Sequence, residues 1–176
     1  MANFFKDNPD LVFTLENLDL EEVTNLREHG YRYAEEYDNA PVNYADAADN
    51  FRRVLEVVGE ICGDRIEPRS RTVDAEGPHF ADGKVTYHPL TVKNLEDLTR
   101  AGVMGVMLGH KYGGLNFPVS VYTMMTEMVS RADASLQNIF GLQDIAETIS
   151  FFGSEEQKDK YLPGFASGEF DGSMDL

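Results

Sequence analysis

Residues 44–62, YADAADNFRRVLEVVGEIC, decide the architecture. Tyr44, Ala47, Phe51, Val54, Leu55, Val58, Ile61 and Cys62 recur at spacings of three and four, while Asp49, Arg52, Arg53 and Glu56 fall on the opposite face. A period near 3.6 with one apolar stripe is an amphipathic helix. Gly63 is where this helix is expected to stop.

Upstream, NPDLVFTLENL reads as a short helix with Leu11, Phe13 and Leu15 as docking residues. Asp19 is a plausible cap for a helix over about Leu20 to Tyr37, with Val23, Leu26, Tyr33, Ala34 and Tyr37 along one face. Downstream, periodicity disappears from Arg65 to Pro89. FADGKVTYHP places Asp82-Gly83 between two short extended pieces, a hairpin signal. A short helix then runs to Gly102, an apolar VMGVML follows, and GHKYGGLNFP is a glycine-punctuated loop.

Pro118 suits the first turn of a helix through Arg131, with Val121, Tyr122, Met125, Met128 and Val129 inward. A further helix is expected from about Ser135 to Phe152, apolar on most sides. Ser154 and Gln157 have the spacing of a capping box, and Pro163 is expected at or past the end of the last helix. The predicted fold class is all-α, an up-and-down bundle of about six helices with a small hairpin or loop insertion near residues 75–90.

The chain has 176 residues, 42% of them apolar, which is enough for a core. A net charge of −16 argues against nucleic acid, whose phosphates need clustered Lys and Arg, and against an anionic membrane surface. No apolar run reaches membrane-spanning length, and the first residues resemble no signal or transit peptide. Cys62 is the single cysteine, which fits a reducing cytoplasm. Its neighbours Val58 and Ile61 predict a buried, inert thiol.

Catalytic motifs are missing: there is no H-E-x-x-H, paired C-x-x-C, G-x-S-x-G or Walker A run. His29, His79, His88 and His110 lie far apart in sequence, and no metal site is expected. Glu35-Glu36 and Glu155-Glu156 are adjacent, so they diverge on a helix and cannot pair as acid and base. Gly113-Gly114 reads as a tight turn where backbones pass closely. Asp133 reads as a helix cap, and Met124, Met125 and Met128 as core.

The second half carries a resemblance. Tyr112 to Leu115, Glu127, Asp133 to Ser135, Gly153, Gln157-Lys158, Tyr161 to Pro163 and Gly168-Glu169 stand in one order and spacing. This series resembles the acyl-CoA dehydrogenase family, whose run is Y-G-G-L-G, then E-x-x-x-x-x-D-A-S, then G-x-x-x-Q-K-x-x-Y-L-P-x-x-x-x-G-E and a strand leading into T-E-P. The resemblance spans about Val92 to Leu176. NFFKDNPDLVF and EGPHFADGKVTYHP also resemble a long bacterial subgroup that includes 3-methylmercaptopropionyl-CoA dehydrogenase.

The resemblance implies three regions: a helical extension over 1–40, the family's N-terminal helical domain over 41–170, and the start of a β-domain over 171–176. It implies that the complete protein binds FAD and oxidises the Cα–Cβ bond of an acyl-CoA thioester. It also implies electron transfer to an electron-transfer flavoprotein, and a homo-oligomer. The glutamate base and most FAD contacts would lie in parts that this chain lacks, so the chain alone is expected to be inactive and to expose apolar surface. By the same resemblance, Leu136 and Phe140 align with residues lining the fatty-acyl cavity, and Met174 and Leu176 with a strand contacting the flavin. The four-residue spacing puts Leu136 and Phe140 on one helix face; plain core packing is the competing reading. A non-catalytic helical interaction module derived from the same fold remains the alternative.

Overall fold

A computed structural model describes residues 1–173. The helices are α1 (Pro9–Asn17), α2 (Glu21–Arg27), α3 (Tyr44–Ile61), α4 (Glu67–Glu76), α5 (Pro89–Arg100), α6 (Val119–Ala132), α7 (Ala134–Gly141), α8 (Asp144–Phe152) and α9 (Glu155–Ser167). Two short strands, β1 (His79–Ala81) and β2 (Lys84–Thr86), form an antiparallel hairpin. The fold is therefore all-α with a small hairpin, as the sequence predicts. No helix among the described residues is long and apolar enough to cross a membrane.

The main core lies between α3, α6 and α7. Phe51, Leu55, Val58, Met125, Met128, Leu136 and Phe140 meet there, with Val103 and Val106 from the apolar loop. Residues of the first forty join the same core: Phe5, Leu11 and Leu20 are all buried in it. In α1, Leu11 is buried and Leu15 half-buried, whereas Phe13 points to solvent.

Local signals hold where they are strong. Asp82 and Gly83 both have positive φ, 51° and 73°, as a type I′ turn needs. Ser154 accepts from the Gln157 N–H while Gln157 accepts from the Ser154 N–H, so the capping box opens α9. Pro118 stands one residue before α6, at its N-cap. Pro89 opens α5, and His88 Nδ1 accepts from the Leu90 N–H in front of it.

Four expectations fail, each for a physical reason. The helix expected over Leu20 to Tyr37 ends at Arg27, because His29, Gly30 and Tyr31 adopt left-handed backbone; a 3-10 turn, Arg32–Glu35, follows. Val23 and Leu26 are exposed, and the inward face is polar, made of Thr24 and Glu28. Gly63 does not stop its helix. A π-helical stretch, Cys62–Ile66, carries α3 into α4. Gly63 instead leaves room for Ala2, whose carbonyl oxygen would lie 2.5 Å from an added Cβ.

The third failure is the helix over Ser135 to Phe152, which breaks at Leu142-Gln143 into α7 and α8. Buried Gln143 uses its side chain across that break, accepting from the Gly105 N–H at 2.8 Å and donating to the Phe140 carbonyl at 2.9 Å. Finally, Pro163 lies inside α9, which closes only at Gly168 with φ 74°. The Asp159 carbonyl that Pro163 cannot serve belongs to an exposed residue.

Candidate functional site

The start of α7 is fixed by Asp133. Its Oδ1 accepts from the Ser135 N–H at 2.9 Å, the Leu136 N–H at 3.1 Å and the Ser135 hydroxyl at 2.6 Å. That cap sets which way Leu136 and Phe140 face. Both turn inward, one helical turn apart, and both are fully buried among the described residues. The Phe140 ring lies 6.1 Å from the Tyr122 ring of α6, tilted by 31°. Met124, Met125 and Met128 are buried in the same α6.

Polar groups close the far end of this helix pair. The Tyr122 hydroxyl donates to the Gly141 carbonyl at 3.4 Å. Burial pushes the Tyr122 phenol well up, and Asp144 adds to that. Burial also raises the Asp144 carboxyl, which the Tyr122 hydroxyl partly offsets. Glu147, one turn along α8, is raised by burial and by Asp144, against the pull of Arg27.

Met174 and Leu176, the residues aligned with flavin contacts, lie outside the described residues. The segment before them does not. Phe170 packs edge-on to Phe165, and a Cβ on Gly172 would sit 2.6 Å from Ile145 Cδ1 and 3.2 Å from the Leu142 carbonyl oxygen. The chain therefore passes over the α7–α8 turn, beside the end of the helix that carries Leu136 and Phe140.

The diglycine does what its composition predicts. Gly113 takes φ 86°, and Gly114 sits so close to Leu108 and Gly105 that an added Cβ would lie 2.7 Å from the Gly105 carbonyl oxygen. Cys62 is fully buried, and burial pushes its thiol up to about 12. Among the described residues, no group of three His, Cys, Asp or Glu side chains could hold a metal ion.

One cluster escapes the sequence reading. His110 and Glu28, 82 positions apart, form a buried pair with His110 Nε2 at 3.0 and 3.1 Å from the two carboxylate oxygens. Asn116 Nδ2 donates to Glu28 Oε1 and to the Arg27 carbonyl, both at 2.9 Å. Arg27 donates to the carbonyls of Asn116 and Met107 at 2.9 and 2.5 Å. Burial lowers the Arg27 guanidinium, against the charges of Glu147 and Glu28. Within the expected helix over Leu20 to Tyr37, Glu28 carried no signal that set it apart from the other acids.

A family sequence profile described as acyl-CoA dehydrogenase, N-terminal domain, matches residues 48–169. The chain is similar to 3-methylmercaptopropionyl-CoA dehydrogenase of Ruegeria pomeroyi, with 30% identity over 133 residues, covering 73% of this chain and 22% of that protein. A probable acyl-CoA dehydrogenase of Bacillus subtilis is 38% identical over 93 residues, 52% of this chain and 16% of the relative. Butyryl-CoA dehydrogenase of Syntrophomonas wolfei is 28% identical over 132 residues, 73% and 22%. The chain thus spans about a fifth of the length of these relatives. The capped α6–α7 pair, the crowded diglycine turn and the capping box of α9 all fall within the matched residues, and the chain belongs to the acyl-CoA dehydrogenase family through its N-terminal domain.

Proposed function

We propose that this chain forms one helical wall of the acyl pocket in an FAD-dependent acyl-CoA dehydrogenase. The reaction is removal of two hydrogens across the Cα–Cβ bond of an acyl-CoA thioester. Membership of the family carries the reading, and the placement of α7 supports it. Leu136 and Phe140 are apolar, one turn apart and rigidly set by the Asp133 cap. They lie beneath the wall that an acyl tail would meet and give it an apolar backing.

The chemistry that FAD supplies when bound is acceptance of a hydride from the β-carbon. Met174 and Leu176 would hold the flavin. The packing of Gly172 on Ile145 and Leu142 supports this, because it sets the last residues described before Met174 beside the end of α7. The α-proton must go to a base outside this chain, so the chain by itself binds and orients and does not turn over. Electrons would then leave to an electron-transfer flavoprotein, and the complete protein would be a homo-oligomer working in the cytoplasm.

The test uses the complete polypeptide that carries this chain. A flavin spectrum bleached by added acyl-CoA without an external reductant is the expected result. The same preparation with neither flavin absorption nor acyl-CoA-dependent dye reduction would overturn the reading and leave a binding module of the same fold.

A further inference from the structure

The strongest unassigned feature is a cleft of about 410 Å³ between the Arg32–Glu35 turn, the diglycine loop and α8. Tyr33, Tyr37, His110, Tyr112 and Phe151 line it, and none of the acyl-wall residues does. Its walls are aromatic. The His110 ring stacks on Tyr37 at 5.8 Å and meets Tyr33 edge-on at 5.8 Å, while Phe151 is 66% exposed and free to cover an occupant.

The floor has an unmet hydrogen-bonding group. His110 is buried, and its Nδ1 has no partner among the described residues. Its tautomer follows from its neighbours. Glu28 accepts from Asn116 and faces Nε2 with both oxygens, so in the neutral ring the proton sits on Nε2, toward the carboxylate. Nδ1, across the ring, is left as a bare acceptor, and a buried acceptor without a donor costs free energy that a ligand can recover.

The cleft's cations have partners, and acids stand beside them: Glu147 lines the cleft and Glu28 lies against His110. Lys111 donates to Asp159 at 2.7 Å, and Arg27 donates to two backbone carbonyls. An anionic group would meet the carboxylates of Glu147 and Glu28 beside those cations. We propose that this cleft binds a neutral planar ring bearing a hydroxyl or N–H donor, stacked against Tyr37 and Phe151 and donating to His110 Nδ1. Access requires Tyr33 or Tyr37 to rotate. Both are half-buried, and no hydrogen bond holds either hydroxyl among the described residues.

The experiment is a titration of the 176-residue chain, labelled with ¹⁵N-histidine, followed by NMR. Free protein should show His110 in the Nε2–H form with an unprotonated, unbonded Nδ1. Addition of p-cresol should shift the Nδ1 resonance saturably, while toluene at the same concentration should leave it in place. Phe151→Ala, an exposed position whose change leaves the fold intact, should weaken p-cresol binding about threefold to tenfold, the worth of one aromatic contact. A protonated Nδ1 in the free protein would overturn the proposal. So would equal responses to p-cresol and toluene, or no saturable response to either.

Discussion

Asp97 is held by Arg69 at 2.9 Å and by Arg65 at 3.1 Å, with Arg100 as a third partner, so that one buried carboxylate joins the π-helical stretch, α4 and α5. Burial alone would raise this carboxyl. Hydrogen bonds from Arg69 and Arg100, and the charges of Arg69 and Arg65, outweigh burial and hold it below its ordinary value. The stability it contributes is therefore complete above the unfolded carboxyl's value of about 4 and is lost as pH falls through the lower folded value. Asp97→Asn should cost about 3 kcal/mol at pH 7, the low end for breaking a buried pair, because Arg65 and Arg100 still reach water. Denaturant melts from pH 7 to pH 3 check both points: the variant should lose part of the acid-dependent slope.

Gly114 and Gly83 separate crowding from backbone strain. Gly83 has positive φ but open space around it, so Gly83→Ala should cost about 1 kcal/mol. Gly114→Ala drives a methyl into the backbone of Leu108 and Gly105 and should cost about 3 kcal/mol or more. Thermal melts of the two variants side by side provide the comparison; equal losses would contradict the packing described.

The capping box of α9 satisfies two N–H groups by two side chains. Ser154→Ala and Gln157→Ala should each lower stability by about 1 kcal/mol. The double variant should lose less than the sum, since each side chain orients the other. Urea unfolding of the three variants measures the coupling.

Cys62 should be silent in the folded chain. With its thiol pushed up to about 12 and no exposed surface, thiolate is scarce at pH 8. A thiol-specific disulfide reagent should react at least about a hundredfold more slowly with native protein than with protein in denaturant, because attack requires opening of the fold. Rapid labelling under native conditions would show that α3 does not end as described.

Phe140→Ala tests the acyl wall and the core together. Loss of this fully buried ring should cost about 3–4 kcal/mol in the isolated chain. In the complete protein the variant should also shift preference toward bulkier acyl chains, read as a changed ratio of kcat/KM values across an acyl-CoA series. A loss of stability with an unchanged ratio would assign Phe140 to the core alone.

What could be read from the sequence was local. The stripe of α3, the Asp82-Gly83 turn, the Asp133 cap and the Ser154–Gln157 box need only neighbours three or four positions away. The α4 helix was hidden because Val73 is its one buried side chain, which leaves no apolar period to detect. The break between α7 and α8 was hidden because apolar residues continue across it, while the bonds that support the turn reach back to Gly105. The Glu28–His110 pair required a carboxylate to be buried by a partner 82 residues later, and nothing in a single sequence pairs distant polar residues. Of the candidate site residues, the helix face shared by Leu136 and Phe140 was legible from spacing, and their burial from a helix apolar on most sides.

Residues 2–5 rest on α3 and its π-helical extension: the Phe4 N–H donates to the Gly59 carbonyl, Asn3 to that of Glu56, and Asp64 accepts from the Ala2 N–H. During synthesis these residues emerge ahead of their seat, which is translated more than fifty codons later. Residues 2–5 must therefore wait, unanchored, for α3 to emerge, with Phe4 and Phe5 uncovered during that interval.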